Sequence, residues 1–244
     1  MKIYYRVIMI LVIAFSITGV VSATQHSPPY AMNYDFSDIP STPTASNAEN
    51  YQDQIGYNGY SYTDQSVISG TQWLSDSSIY FFNGHGGTYQ GDGGGILVFQ
   101  DSNGSSSYLF ASDVPDDLMS TNHKVLSDSA FEINDVLLMV LEACYSANYN
   151  SETGNLLSTA SSKGVDYRIG FSGAIGNGRS NYWGNKFWEY LEDGYSIGYS
   201  ASTAVNDAID DIFPWGWTDG VDTIVVQGNS PSTAYLTPVR YGTI

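Results

Sequence analysis

The sequence predicts an α/β fold, a three-layer open sheet that is mainly parallel with helices on both faces. Three observations predict it. Residues 79–82 (IYFF) and 135–144 (DVLLMVLEAC) are almost unbroken apolar runs, the pattern of strands buried on both faces. Between and after such runs lie amphipathic stretches with helical spacing, and that alternation builds parallel sheets through helical crossovers. The composition, 42% hydrophobic with 20 Tyr and 5 Trp, can fill a sizeable core.

Taken in order, Lys2 and Arg6 precede an apolar run to residue 23 that ends on Val21, Ser22 and Ala23. These are the parts of a secretory signal peptide, with a cut expected after Ala23 and export as the consequence; a retained N-terminal anchor is the alternative. Residues 24–47 hold Pro28, Pro29, Pro40 and Pro43 among Ser, Thr and Asn, and read as an N-terminal arm or pro-segment. Residues 48–244 form the domain. A helix opened by Asn47 and closed near Gly56 is expected first, then a short strand near Tyr60 to Tyr62 and a short helical or turn segment over 67–78.

The strand 79–82 follows. GILVFQ (95–100) and SYLFA (107–111) flank DSNGSS, a hairpin signal. Ser112 reads as the N-cap of a helix carrying Pro115 and two aspartates in its first turn. Next come the run 135–144 and a short strand within DYRIGFSGAIG (166–176). In 180–194, Trp183, Phe187, Tyr190 and Leu191 share a helical face, with Gly194 as C-terminal cap. A second helix over 200–212 buries Ala201, Ala204, Val205, Ala208, Ile209 and Ile212 on the same spacing. IFPWGWTDG (212–220) reads as a loop capping the sheet, and DTIVVQG (222–228) as the last strand.

The formal net charge is -17, and loss of residues 1–23 would make it two units more negative. Such acidity excludes nucleic acid and anionic membrane surfaces as partners. No stretch after residue 23 could span a bilayer, so no stable membrane insertion is expected once the leader is removed. Cys144 is the only cysteine, so no internal disulfide forms. A lone thiol in an exported chain is exposed to oxidation unless it is buried or used.

Two strands end in chemically capable residues: 79–82 runs into Asn83-Gly84-His85-Gly86-Gly87, and 135–144 ends in Glu142-Ala143-Cys144. Sites on open parallel sheets form beyond the carboxyl ends of strands. If the two strands are neighbours, His85 and Cys144 enter one crevice, and a histidine is what a cysteine needs to become a good nucleophile. Gly86 and Cys144 can each offer a backbone N–H to a substrate oxygen, an oxyanion hole worth about 3 kcal/mol per donor.

IYFFNGHGG, followed 59 residues after its histidine by LLMVLEACYSAN, resembles the caspase-fold cysteine peptidases, the group that includes caspases, legumain, clostripain and gingipain. EACYS is similar to the legumain form of the motif. FWEYLEDGYSIGYSASTAVNDA followed by VVQGNSPSTAYL resembles the clostripain and gingipain tail, although Asn229 stands where that tail often has an acid. The resemblance implies a caspase-like fold over residues 45–240 and a Cys144–His85 dyad cutting a protein or peptide substrate. It implies that Glu142 lines the pocket for the side chain before the cut bond, favouring Arg, Lys or Asn over Asp. Ser172 and Gly173 would form another wall of that pocket.

The plain alternatives are a structural cysteine in a catalytically silent binding module of the same fold, and a transpeptidase using the same thioester. No cofactor is required by this chemistry and no metal site is expected, since His26 and His123 lack ligand spacing. Calcium stays open only through the acidity and the family. Neither DSNGSS nor QGDGGG has the spacing of a calcium loop.

Overall fold

A computed structural model describes residues 30–37, 44–210 and 219–236. The leader, the cut after Ala23 and both tryptophans of the 212–220 loop lie outside them. The strands are β1 (Tyr30–Asp35), β2 (Asn58–Thr63), β3 (Ser77–Asn83), β4 (His85–Tyr89), β5 (Asp92–Gln100), β6 (Ser106–Phe110), β7 (His123–Val125), β8 (Leu138–Glu142), β9 (Tyr167–Phe171) and β10 (Ile224–Gln227). The α-helices are α1 (Thr44–Gln54), α2 (Val67–Gly70), α3 (Leu156–Ser162), α4 (Asn177–Glu192) and α5 (Ile197–Asp210).

Six strands form the main sheet in the order β10-β9-β8-β3-β1-β2, all parallel except β10. The pleat sends alternate residues to opposite faces. Ala31, Ile79, Phe81, Leu138, Val140, Ile169 and Phe171 go to the face covered by α1, α4 and α5. Met32, Tyr34, Tyr80, Phe82, Met139 and Leu141 go to the other face, against Val67, Leu97, Phe99, Leu156 and Leu157. Burial on both faces is why the β3 and β8 sequences are apolar throughout. The expected fold class, an open mainly parallel sheet with helices on both faces, is what the chain adopts.

Four differences from the sequence reading matter. Residues 30–35, read as part of an arm, are a strand between β3 and β2, and α1 begins at Thr44 rather than Asn47. The prolines and polar residues around them masked a six-residue run that is buried at its centre. The hairpin over 95–110 belongs to a second, four-stranded sheet, β4-β5-β6-β7. The helix expected after Ser112 is a single 3-10 turn, Asp116–Leu118, with no side-chain cap. Pro115 has no N–H for a helical turn, and its backbone is extended at ψ 143°.

The two sheets meet through an aromatic layer. Phe82 on β3 stacks obliquely on Phe99 of β5 at 4.8 Å, and Phe36 contacts both, at 5.4 Å and 6.1 Å. Gly84 alone separates β3 from β4, and a side chain there would overlap the Phe36 and Phe82 rings. On the opposite face, Trp183 stacks on Phe187 at 5.2 Å and meets Phe171 edge-on at 5.1 Å. Among the described residues no helix is long and apolar enough to cross a membrane.

Candidate active site

Strands β3 and β8 are direct neighbours, and their last paired residues are Asn83 and Glu142. Gly84 carries the ladder one step further by donating its N–H to the Glu142 carbonyl at 3.1 Å. His85 and Cys144 each lie two residues beyond that last pair. They leave the sheet side by side at its carboxyl edge, on one connection that opens β4 and one that turns back toward α3.

The approach of the two connections is very close. A Cβ on Gly86 would overlap the Cys144 carbonyl oxygen and lie 2.9 Å from the Cys144 nitrogen. Gly86 is not required here for a left-handed turn: its φ is not in the left-handed region, and what the position demands is space. The Cys144 N–H has no acceptor among the described residues, whereas the next amide, Tyr145, donates to the Gly173 carbonyl at 2.8 Å. Tyr145 adopts a left-handed φ of 57°, a sharp turn immediately after the cysteine. His85 is exposed and Cys144 half-buried.

The turn after Cys144 rests on β5, and this explains the glycine run 93–95. A side chain at Gly93 would strike the Tyr145 ring, and one at Gly94 would lie 2.5 Å from the Asn148 carbonyl. Asn148 and Thr153 donate to the Gly93 and Gly94 carbonyls at 3.0 Å and 2.9 Å. The run is the seat of the Cys144 loop.

The loop that carries Ser172 and Gly173, expected as pocket wall, passes the turn after the cysteine, where the Gly173 carbonyl accepts the Tyr145 N–H. Their loop leaves β9, and its Ile175 amide lies 3.3 Å from the Cys144 Sγ. Ser172 is exposed and Gly173 half-buried.

Glu142 requires a correction. It was expected to line an accessible pocket, but it is 1% exposed, with neither carboxyl oxygen in contact with solvent or with a hydrogen-bond donor. The pleat explains this: Glu142 shares a face with Leu138 and Val140 and turns under α4, where its carboxyl fills the space left by the missing side chain of Gly184. Burial raises its pKa well above 4.5, the Asp35 charge adds to the rise, and the nearby Ser180 hydroxyl offsets part of it without making a hydrogen bond to either oxygen. The shift favours the protonated form of this carboxyl in the folded chain.

Around it lies a buried polar cluster that sequence reasoning missed. Asn83 Nδ2 donates to Asp35 at 2.6 Å and to Asn181 Oδ1 at 3.0 Å, and Thr44 Oγ1 also donates to Asn181 at 3.0 Å. Asp35 accepts the Ala45 N–H at 2.7 Å. Burial raises the Asp35 pKa too, against the lowering effect of those two donors. The signal for this cluster was present in the parity of Asp35, Asn83 and Glu142, each at the carboxyl end of a buried strand.

Among the described residues no group of three or more His, Cys, Asp or Glu side chains is placed to hold a metal ion. An open depression of about 370 Å³ is lined by Tyr182, Lys186, Asp207 and Asp210 on α4 and α5. It includes none of the expected site residues, and the geometry around Cys144 is the better guide to chemistry.

No family model and no curated protein matches the chain. Among solved structures it is similar to caspase-1 from Spodoptera frugiperda, at 10% identity and a TM-score of 0.47, over 85% of this chain and 90% of that one.

Proposed function

We propose that the chain is a cysteine endopeptidase using Cys144 as nucleophile and His85 as general acid and base. The observation that supports this most is the shared rung. The only cysteine and a glycine-flanked histidine stand two residues past one β3–β8 pair, with Gly86 pressed against the Cys144 backbone. The chemistry follows from those groups. The Cys144 thiol gives its proton to His85 as the sulfur attacks the scissile carbonyl carbon, and the carbonyl π electrons move to oxygen, to which the Cys144 N–H can donate a hydrogen bond. The oxygen lone pair returns, the C–N bond breaks, and the proton held by His85 goes to the departing amine. Water, deprotonated by His85, then attacks the thioester and releases the acid and the thiolate.

Glu142 is buried under α4, out of reach of a substrate side chain, so the selection of Arg or Lys is not assigned to it. Ser172 and Gly173, exposed and half-buried in the loop whose Ile175 touches the sulfur, are the better-placed candidates for substrate contact. Export with cleavage after Ala23 is part of the proposal, and amino-terminal sequencing of the protein recovered from culture medium reads it directly.

The deciding experiment is a fluorogenic panel with Arg, Lys, Asn or Asp before the cut, run with wild type, Cys144→Ala and His85→Ala. Hydrolysis lost in both variants supports the assignment. Hydrolysis that survives Cys144→Ala, or a folded wild type that cleaves nothing while its thiol reacts freely with iodoacetamide, overturns it.

A further inference from the structure

We infer that the loop over residues 172–176 is a latch that closes over the Cys144 thiol, and that the turn over 219–223 holds it shut. The inference takes Cys144 as the reacting group, as proposed above, and concerns how access to it is controlled.

The loop occupies the sulfur with one peptide unit on each side of Ile175. The Ile175 N–H donates to Sγ at 3.3 Å, and the thiol donates to the Ile175 carbonyl at 3.6 Å. Both partners are backbone groups, so the contact depends on the course of the loop and not on the isoleucine side chain. With both contacts in place the sulfur is engaged by the loop, and withdrawal of the loop frees it for a substrate carbonyl.

What keeps it in place is a second turn. Ser172 donates its N–H to the Thr223 carbonyl at 2.9 Å and its hydroxyl to the same oxygen at 3.1 Å. Gly173 donates to Thr223 Oγ1 at 3.2 Å, and that hydroxyl donates in turn to the Gly220 carbonyl at 2.6 Å. Gly176 donates to the Asp219 carbonyl at 2.8 Å. Gly220 has a φ of +80°, and a Cβ there would overlap the Ala174 carbonyl oxygen. The loop is thus gripped at 172, 173, 174 and 176, on either side of the residue that holds the sulfur.

The turn is itself tied to the helical layer. Arg179, buried in the first turn of α4, lies 3.7 Å from the Asp219 carboxylate and donates to the Ala208 carbonyl of α5 at 3.3 Å. Asp219 is 56% exposed, so this link is weak and can be broken without disrupting the core. Closed and open loops therefore differ by a few hydrogen bonds, the scale on which a ligand shifts a conformational population.

The test measures thiol access without substrate. Iodoacetamide alkylation of Cys144 is followed by mass spectrometry in wild type, Thr223→Val and Gly220→Ala, each checked for folding by its thermal midpoint. If alkylation proceeds from the open loop, its rate follows the open fraction. Thr223→Val keeps the shape of the side chain and removes two hydrogen bonds, so the rate should rise about fivefold or more. Gly220→Ala cannot leave Ala174 where it is and should raise the rate as well. Faster deuterium exchange at the Ile175 and Gly176 amides is expected alongside. Unchanged or slower alkylation in both folded variants overturns the latch. Because alkylation requires no peptide cleavage, that failure is separate from the absence of hydrolysis that would overturn the peptidase reading.

Discussion

Replacing Glu142 by Gln separates a carboxyl buried away from substrate from a charged substrate receptor. The carboxyl has an unfolded reference near 4.5, and burial followed by the Asp35 charge places the folded value well above it. Below the reference both states carry the proton and the group costs nothing. Above it the unfolded chain has released a proton that the folded chain keeps. Stability then falls as pH rises, by about 1.4 kcal/mol per pH unit for one proton, until the folded carboxyl titrates. Glutamine has nearly the same shape and no such penalty. The stability of Glu142→Gln relative to wild type should therefore climb with that slope above pH 4.5. The Asp35 contribution, which has the same sign, largely cancels in the difference. Urea unfolding from about pH 5 to about pH 8 in a Cys144→Ala background, free of self-cleavage, measures this, with m-values checked for constancy. In the active background, kcat/KM on an Arg substrate should stay within a few-fold of wild type. A difference that does not change with pH, a wild type more stable than the variant near pH 8, or a selective collapse of Arg cleavage would refute the reasoning.

Three further outcomes follow from the packing. Gly86→Ala drives a methyl into the Cys144 carbonyl and should cut kcat/KM by about 100-fold or more, with Cys144 still present by mass. Gly94→Ala, at a φ of +125° and 2.5 Å from the Asn148 carbonyl, should cost about 1–3 kcal/mol in chemical denaturation and slow turnover by shifting the seat of the Cys144 loop. Trp183→Ala removes the ring between Phe171 and Phe187 and its 3.1 Å hydrogen bond to the Ala201 carbonyl, and should lower stability by about 3–5 kcal/mol in the same assay.

Strands β3 and β8 were legible because each is a short apolar run buried on both faces, and α4 and α5 because their apolar positions keep helical spacing. The expectation that His85 and Cys144 leave one edge of the sheet rested on one assumption, that those two strands are neighbours, and the parallel pairing satisfies that assumption. Strand β1 was not legible. Its YAMNYD mixes polar and apolar residues because Asn33 and Asp35 point into buried hydrogen bonds rather than into a hydrocarbon core. Glu142 was misread for a related reason. A local motif names the residues around a nucleophile, but which of them face the crevice is decided by strand parity and by the helix that covers the sheet. The grip of residues 219–223 on the 172–176 loop joins segments about fifty residues apart and leaves no local pattern.

The proposed reacting groups stand at the margins of different sheets: Cys144 follows a strand of the six-stranded sheet, and His85 is the first residue of the four-stranded one. His85 is therefore held from two sides, by the β3–β8 pairing and by the second sheet, and the Phe36, Phe82 and Phe99 rings set how that sheet lies on the first. Shaving those rings, as in Phe99→Leu, should let the sheets settle or slide by fractions of an ångström while each keeps its own hydrogen-bonded ladder. The proposed catalysis, which needs His85 in place, should then fall under conditions where both sheets are still folded.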